Sequence, residues 1–264
     1  QSINAGPVGP ALDRSALPIR DPDKAVLLSV TQTGSRLVAV GERGLIITLS
    51  PDGKWQQQAS HTSVTLTTVR FADDRNGFAV GHGGVLMSTT DSGNQWNLLL
   101  DGKRIAELAL ADAKSTGDEN RIRDAERLFS DGPDKPLLDV LVWDAQHLLA
   151  IGAYGIALYT NDGGKTWQSW MNRMPNPRGL HLYAVRRIGD RILIAGEQGI
   201  LLQSDDSGLT FKPAKSPYKG SWFTAEMITN KEWVVGGLRG NVWRTLDGGK
   251  TWSQLSNTIP AAIT

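Results

Sequence analysis

The sequence predicts an all-β fold, a β-propeller of four-stranded antiparallel blades. The first observation behind this prediction is a repeat in which a Gly-x-x-Gly motif, a short apolar strand and a Ser/Thr-x-Asp-x-Gly-x-x-aromatic motif follow one another. The second is the spacing of the motif aspartates, which is close to the ~40–45 residues of a propeller blade in all but one interval. The third is that nine of the 18 aromatic residues are Trp, whose flat rings suit the wedge between blades.

Each repeat has room for four strands. In the second repeat, alternation and turn residues predict strands over 66–71, 77–80, 85–88 and 95–99, with a tight turn at 73–76. Five such repeats are recognised. The chain then ends at residues 259–264, where another blade could start, so two alternatives stay open: a wheel of five blades, or part of a larger, seven-bladed one.

One interval between motif aspartates is about 30 residues longer than a single blade needs. The excess, residues 101–136, lacks strand alternation and predicts two short helices, near 104–110 and 121–129, separated by a polar turn. We therefore expect a helical insertion between blades 2 and 3. The predicted domain limits are an N-terminal tail over residues 1–24 and a propeller over residues 25–264.

The aspartate motif has a structural interpretation. A carboxylate two residues before a glycine accepts backbone N–H bonds in a tight turn, while the glycine takes a positive φ. Most copies offer one acidic residue, too few for calcium, so we predict no metal. The predicted turn aspartates and wedge aromatics are Asp52, Asp91, Asp162, Asp206, Asp247, Trp96, Trp167, Phe211 and Trp252.

Composition narrows the classes of function. The chain has 28 Lys+Arg and 27 Asp+Glu, and this charge balance does not favour a nucleic-acid partner. It has no Cys, which excludes thiolate chemistry. Its longest uncharged stretch, 17 residues, is too short to span a bilayer. Four scattered histidines and the absence of nucleotide or nucleophile motifs predict no cofactor. Because the sequence opens with Gln1, we expect a mature exported or periplasmic protein that has lost a signal peptide.

The predicted binding surface lies on the face that carries the Gly-x-x-Gly turns and the blade-to-blade connections, since loops on a rigid frame carry recognition. Solvated turns are the alternative. The candidate turn residues are Glu42, Arg43, His82, Tyr154, Glu197, Gln198 and Arg239. Two long connections add a mixture of aromatic and basic residues typical of interfaces, although the aromatics could instead cover blade edges: Trp170, Arg173, Arg178, Lys215, Tyr218 and Trp222.

The aspartate motif resembles the Asp-box, or BNR repeat, of sialidases and related propellers. With the Val-Gly-x-x-Gly motif ahead of each box, residues 26–256 are similar to the photosystem II stability/assembly factor family. That resemblance implies an exported, non-catalytic propeller that binds a membrane protein or a membrane-associated complex during assembly.

A sialidase-like glycoside hydrolase is the alternative. Bidentate arginines suit a substrate carboxylate, and Arg43, Arg239, Tyr154 and Glu197 could face the propeller axis together. The Phe-Arg-Ile-Pro signature of those enzymes is missing. A carbohydrate-binding propeller is a further alternative, which rests on Trp170, Trp222 and Tyr154.

Overall fold

The computed structural model describes residues 10–264, except for the side chain of Asp23. Five separate four-stranded sheets follow one another along the chain, and in each sheet the strands pair antiparallel in sequence order. The predicted four-stranded blades are confirmed. Blades 1 and 2 contain β1 (Leu27–Thr33), β2 (Arg36–Gly41), β3 (Ile46–Leu49), β4 (Trp55–Gln57), β5 (Leu66–Phe71), β6 (Gly77–Gly81), β7 (Leu86–Thr89) and β8 (Asn97–Leu100). Blades 3 to 5 contain β9 (Leu137–Val142), β10 (Leu148–Gly152), β11 (Ala157–Thr160), β12 (Gln168–Ser169), β13 (Leu182–Ile188), β14 (Arg191–Gly196), β15 (Leu201–Ser204), β16 (Lys212–Pro213), β17 (Trp222–Met227), β18 (Trp233–Gly237), β19 (Val242–Thr245) and β20 (Ser253–Gln254).

The first strand of each blade is its inner strand, and successive inner strands pack together from β1 through β5, β9 and β13 to β17. Apolar side chains fill the wedges between them. Trp96 lies between blades 1 and 2, and Trp167 lies between blades 2 and 3. Phe211 and Trp252 are only partly buried, at the wedges before blades 4 and 5.

A β-bulge sits near the start of every inner strand. The register skips one residue there, at Leu28, Thr67, Leu138, Tyr183 and Phe223 in turn. A bulge re-aims the side chain of the extra residue. In each blade, the side chain of this bulge residue therefore does not follow the alternation of side chains between the two faces of the strand.

A buried carboxylate joins three inner strands. Asp139 on β9 accepts a hydrogen bond of 2.6 Å from Nη1 of Arg186 on β13 and lies 3.5 Å from Nη2 of Arg70 on β5. It also accepts the backbone N–H of Val185 at 3.1 Å. Burial alone would lower the pKa of Arg186, but the charges of Asp139 and Glu226 and the hydrogen bonds to both carboxylates together outweigh it and raise that pKa.

Blade 1 leaves one face uncovered in the part of the chain that the structure describes. Val30 is 58% exposed, whereas the residues at the same register position in the other four blades are at most 2% exposed: Val69, Val140, Val185 and Ala225. Those four residues pack in the wedge toward the preceding blade. Val30 has no such neighbour among the described blades.

The insertion forms a helical hairpin, α1 (Gly102–Thr116) and α2 (Glu119–Ser130). Both helices are longer than predicted. Each begins two residues earlier, because Asp101 and Asp118 cap their N-termini, and α1 continues to Thr116, where the left-handed Gly117 ends it. Only Gly117, in the left-handed conformation, and Asp118 separate them. Ile105 anchors α1 in the wedge of blades 2 and 3.

Part of the predicted N-terminal tail, residues 1–9, lies outside the described residues. Downstream of it, the carbonyl oxygen of Ala11 accepts hydrogen bonds from the backbone N–H of Ser63 and from Oγ1 of Thr62. This part of the tail therefore lies against the connection between blades 1 and 2. Neither helix of the described chain is long and apolar enough to cross a membrane.

Candidate functional site

One hydrogen bond recurs in every Gly-x-x-Gly turn. The donor is the backbone N–H of the residue after the first glycine. The acceptor is the carbonyl oxygen of the residue directly before the inner strand of the same blade. The five bonds measure 2.8–3.2 Å: Glu42 to Val26, His82 to Thr65, Ala153 to Pro136, Glu197 to His181 and Leu238 to Ser221. The turns and the blade-to-blade connections therefore lie on one side of the molecule, as predicted. We call this surface the turn face.

The third residue of each turn has a positive φ: Arg43 57°, Gly83 65°, Tyr154 56°, Gln198 51° and Arg239 58°. Glycine takes this left-handed conformation without strain, whereas other residues lose roughly 1–2 kcal/mol in it. Four of the five turns nevertheless carry a long side chain there. Strained residues concentrate at binding sites, which makes the turn face a functional candidate.

Aromatic rings line the turn face across blades 3, 4 and 5. The ring centroids of Tyr154 and His181 are 4.8 Å apart, those of His181 and Tyr183 6.2 Å, and those of Tyr183 and Phe223 5.1 Å, all with edge-to-face geometry. Tyr183 and Phe223 are the bulge residues of blades 4 and 5. We call these four residues the aromatic row.

Backbone groups hold the centre of the aromatic row in place. Nδ1 of His181 accepts a hydrogen bond of 2.9 Å from the backbone N–H of Tyr154, so in this arrangement the ring proton sits on Nε2. The backbone N–H of His181 donates to Oε2 of Glu197 at 3.1 Å. These two hydrogen bonds join blade 3, the connection between blades 3 and 4, and blade 4 at His181.

Charged groups surround the aromatic row. Nζ of Lys135 lies 5.6 Å from the centroid of the Tyr154 ring, and it also pairs with Asp134. Nη1 of Arg178 donates to Oε1 of Gln198 at 2.8 Å. Burial, together with the negative charge of Glu197, raises the pKa of the Tyr183 phenol.

A cleft of about 990 Å³ opens beside the aromatic row, between the helical hairpin and the connection over residues 171–179. Tyr154 and Arg178 line it, so the cleft and the row are continuous. Asp112 of α1 also lines the cleft, pairs with Arg121 of α2 at 3.0 Å and accepts a hydrogen bond from the Asn172 amide at 2.9 Å. The hairpin is thus tied to blade 3.

The structure brings together four of the predicted contact residues: Tyr154, Arg178, Glu197 and Gln198. The other predicted turn residues are exposed on separate turns of the same face: Glu42, Arg43, His82 and Arg239. Within residues 10–264 no hydrogen bond, ion pair or ring contact joins those four to the aromatic row.

The predicted aromatic and basic connections need a correction. Trp170 is 3% exposed and Trp222 is not exposed at all, because both fill wedges between blades, so neither offers contact area to a partner. Arg173 stacks on Trp170 and donates to the carbonyl oxygen of Gly208, which makes it part of that packing. Tyr218 packs against Trp222 and is half-buried, whereas Arg178 and Lys215 are exposed.

In the Asp-box turns, backbone N–H groups of the same turn donate to the carboxylate of the motif aspartate. Asp162 accepts the backbone N–H of Thr166 at 2.9 Å and its hydroxyl at 2.6 Å, and Thr160 donates to the same carboxylate. These hydrogen bonds, the Thr166 hydroxyl first, lower the pKa of Asp162 to about 2. Asp206 and Asp247 repeat these hydrogen bonds, with Ser204 in the place of Thr160 for Asp206. Asp91 accepts the Gln95 N–H and the Thr89 hydroxyl but has no threonine four residues later. Asp52, in the shortened copy, has a 3.4 Å contact with the Lys54 N–H and a 3.6 Å ion pair with Nζ of Lys54.

A sialidase-like centre would need several arginines gathered in one pocket. Arg70 and Arg186, which converge on the inner strands, both neutralise Asp139. Arg43 and Arg239 lie on the turns of blades 1 and 5. Among the described residues, no group of three or more His, Asp or Glu is placed to hold a metal ion.

Comparison with known proteins identifies a family. The model of the photosynthesis system II assembly factor YCF48 family matches residues 123–254, half of the chain. This chain belongs to that family.

One curated relative in the family is the photosystem II assembly lipoprotein Ycf48 of Synechococcus sp. (strain CC9902), 29% identical over 136 residues. The match covers 48% of this chain and only 38% of that relative's length. A solved structure of YCF48 bound to D1 peptide is 17% identical and superposes with a TM-score of 0.58 over 86% of this chain and 66% of that one. The GH74 enzyme of Niastella koreensis is 15% identical, with a TM-score of 0.59 over 89% of this chain and 31% of that one. At these identities the two structures show a shared propeller fold.

Sequence reasoning missed four residues of the site in this YCF48-family chain: Lys135, His181, Tyr183 and Phe223. Aligning the repeats on their inner strands would have singled out Tyr183 and Phe223, since the same position holds Leu28, Thr67 and Leu138 in the other blades. Lys135 and His181 belong to connections that vary in length and carry no repeat pattern.

Proposed function

We propose that this chain is a non-catalytic assembly factor, exported from the cytoplasm, that binds a segment of a membrane protein through its turn face. The observation that carries the proposal is the continuity of the aromatic row with the cleft beside the hairpin. Aromatic, Met and Arg side chains are enriched at protein interfaces. Met171, Met174 and Arg178 line the cleft that the row enters.

The family supports the same proposal. A curated relative is named as a photosystem II assembly lipoprotein, and a structural relative was solved with a D1 peptide bound. A lipoprotein that assists a membrane complex is exported to the face of the membrane where that complex is built. We extend this location to the present chain as part of the proposal.

Binding is favoured over glycoside hydrolysis by the positions of the charges. The two arginines that converge on the inner strands, Arg70 and Arg186, both pair with Asp139. Glu197, beside the aromatic row, is engaged by the backbone N–H of His181 at 3.1 Å.

The test is capture of a membrane protein from a mild detergent extract of the source membranes by the tagged chain. The test variant is Tyr154→Gly, which keeps the left-handed turn and removes a side chain that is 46% exposed. Leu209→Ala is the control, since Leu209 is exposed on an Asp-box turn of blade 4. We expect one membrane protein to be enriched by the wild type and by the control and lost with Tyr154→Gly. Equal capture by all three forms would contradict the proposal.

A further inference from the structure

The carboxylate of Glu197 has no basic partner in the described structure. Its side chain is 30% exposed, and its nearest cationic candidate is Nδ1 of His181 at 3.8 Å. That nitrogen already accepts the backbone N–H of Tyr154 and therefore carries no proton to donate. Lys135 and Arg178, the nearby bases, are engaged by Asp134 and Gln198.

Aromatic rings lie beside this carboxylate. Oε2 of Glu197 accepts the backbone N–H of His181 at 3.1 Å, and the Tyr183 ring centroid lies 6.2 Å from that of His181. The charge of Glu197 adds to burial in raising the pKa of the Tyr183 phenol. Phe223 then extends the rings toward blade 5. A carboxylate flanked by aromatic rings favours a cation, because the ion pair and the ring quadrupoles both attract positive charge.

The molecule already contains one example of this attraction. Nζ of Lys135 lies 5.6 Å from the centre of the Tyr154 ring at the other end of the aromatic row. The face of Tyr154 on that side is therefore taken by a lysine of the chain itself. Beside Tyr183 and Phe223 the described structure has no cation–ring contact.

We infer that Glu197, with Tyr183 and Phe223, forms a subsite for a basic side chain, Arg or Lys, of the bound polypeptide. This inference rests on the proposed function and specifies the chemistry of its ligand at one point. The guanidinium or ammonium group would pair with the Glu197 carboxylate while its alkyl stem lies along the rings. The subsite would select which segment of a partner sits on the turn face.

Blade 1 supplies a matched control. Glu42 occupies the position in its Gly-x-x-Gly turn that Glu197 occupies in blade 4, and each donates the same backbone hydrogen bond. Leu28 stands in blade 1 at the bulge position that Tyr183 holds in blade 4. Glu42 thus has the same charge and the same turn as Glu197, but the bulge residue of its blade has no aromatic ring.

The experiment is a titration of the isotopically labelled chain with the peptide acetyl-Gly-Gly-Arg-Gly-Gly-amide, followed by the amide NMR signals of residues 196–199. A second peptide carries citrulline, which keeps the shape of Arg and removes its charge. We expect the Arg peptide to shift these signals and to bind about tenfold more tightly than the citrulline peptide. Equal binding of the two peptides would overturn the inference.

Substitutions in the chain test which of its residues bind the Arg peptide. Glu197→Gln keeps an oxygen that can accept the His181 N–H and should weaken Arg-peptide binding about tenfold. Glu42→Gln should leave it unchanged. Tyr183→Leu, which tests the rings without touching the carboxylate, should weaken binding a few-fold. Unchanged affinity in both Glu197→Gln and Tyr183→Leu would contradict the inference.

The inference and the proposed function can fail separately. If a membrane protein is captured through Tyr154 but capture is insensitive to Glu197→Gln, the subsite is wrong and the function stands. If the Arg peptide binds at residues 196–199 but no membrane protein is captured, the subsite stands and the proposed function fails.

Discussion

Asp139 on β9 and Arg186 on β13 form a buried ion pair, 2.6 Å between Oδ2 and Nη1, that joins the inner strands of blades 3 and 4. Replacing Asp139 with Ala leaves Arg186 without its main partner and removes the acceptor for the Val185 N–H. We expect the free energy of unfolding, measured in urea, to fall by about 3–5 kcal/mol.

The control for this prediction is Glu226→Ala. Glu226 pairs with the same arginine at 3.1 Å, but its carboxylate is largely exposed, so its loss should cost less than about 1 kcal/mol. Equal losses from the two substitutions would show that burial of Asp139 does not matter.

Trp167→Ala should lower the free energy of unfolding by about 3–5 kcal/mol, because a buried indole leaves a cavity in the wedge between blades 2 and 3. Its Nε1 also donates to the carbonyl oxygen of Gly164 at 3.1 Å. Trp252→Ala, at a partly exposed ring, should cost less in the same denaturation experiment. A loss well under 1 kcal/mol for Trp167→Ala would refute the wedge role.

Arg43→Gly should raise the free energy of unfolding by roughly 0.5–1 kcal/mol, since Arg43 has a φ of 57° and glycine relieves that strain at some cost in chain entropy. Arg43→Ala keeps the Cβ and serves as the control, with no gain expected. Thermal unfolding of both variants measures the difference. A glycine variant no more stable than the alanine variant would mean that the turn is unstrained.

Acid should weaken the fold through the Asp-box turns. The pKa values of Asp162, Asp206 and Asp247 are lowered from 3.8 to about 2 by hydrogen bonds that only the folded chain supplies. Their contribution to stability is complete above about pH 4 and is lost as the pH falls toward 2. Urea midpoints at several pH values between 5 and 2 follow this loss.

The matched variants for the acid prediction are Asp247→Asn and Asp52→Asn. Asp247→Asn should make the midpoint less dependent on pH in this range, because the titrating group is gone. Asp52→Asn should leave the dependence unchanged, since Asp52 lacks the threonine hydrogen bonds of the other copies. A steep, unaltered dependence in Asp247→Asn would point to other carboxylates.

Asp112→Ala should loosen the helical hairpin from blade 3 without unfolding the blades. The substitution removes the pair with Arg121 and the hydrogen bond from Asn172, both partly exposed. We expect amide hydrogen exchange over residues 119–130 to become about fivefold faster. Glu107→Ala, which breaks an ion pair within α1, is the control. If hydrogen exchange is unchanged in Asp112→Ala, then Asp112 does not hold the helical hairpin to blade 3.

Local chemistry explains which parts of the fold were predictable. The Asp-box turns and the strands around them follow from short motifs, because Asp162 and Thr166 satisfy each other within five residues. The predicted strand over 66–71 matches β5 to the residue. The helix starts were predicted too late because the caps at Asp101 and Asp118 lie outside the apolar periodicity, and the end of α1 was predicted too early because Gly117, and not the last apolar residue, ends it.

The candidate site was only half predictable. Tyr154 and Glu197 stand out in the sequence as variable residues between repeated glycines. The neighbours that make them a site, His181 and Tyr183, come from a connection and from a β-bulge, whose direction depends on how two strands register. Burial of Trp170 and Trp222 likewise depends on packing between blades far apart in sequence.

The five equivalent turn hydrogen bonds use only main-chain atoms. The two side chains inside a Gly-x-x-Gly turn can therefore be exchanged without touching the bonds that close the blade. A new pair of residues in one blade alters the recognition surface at one point and leaves the remaining blades as they were. The frame is thus suited to diversification, in evolution or in a library, where specificity is rewritten blade by blade while the scaffold stays constant.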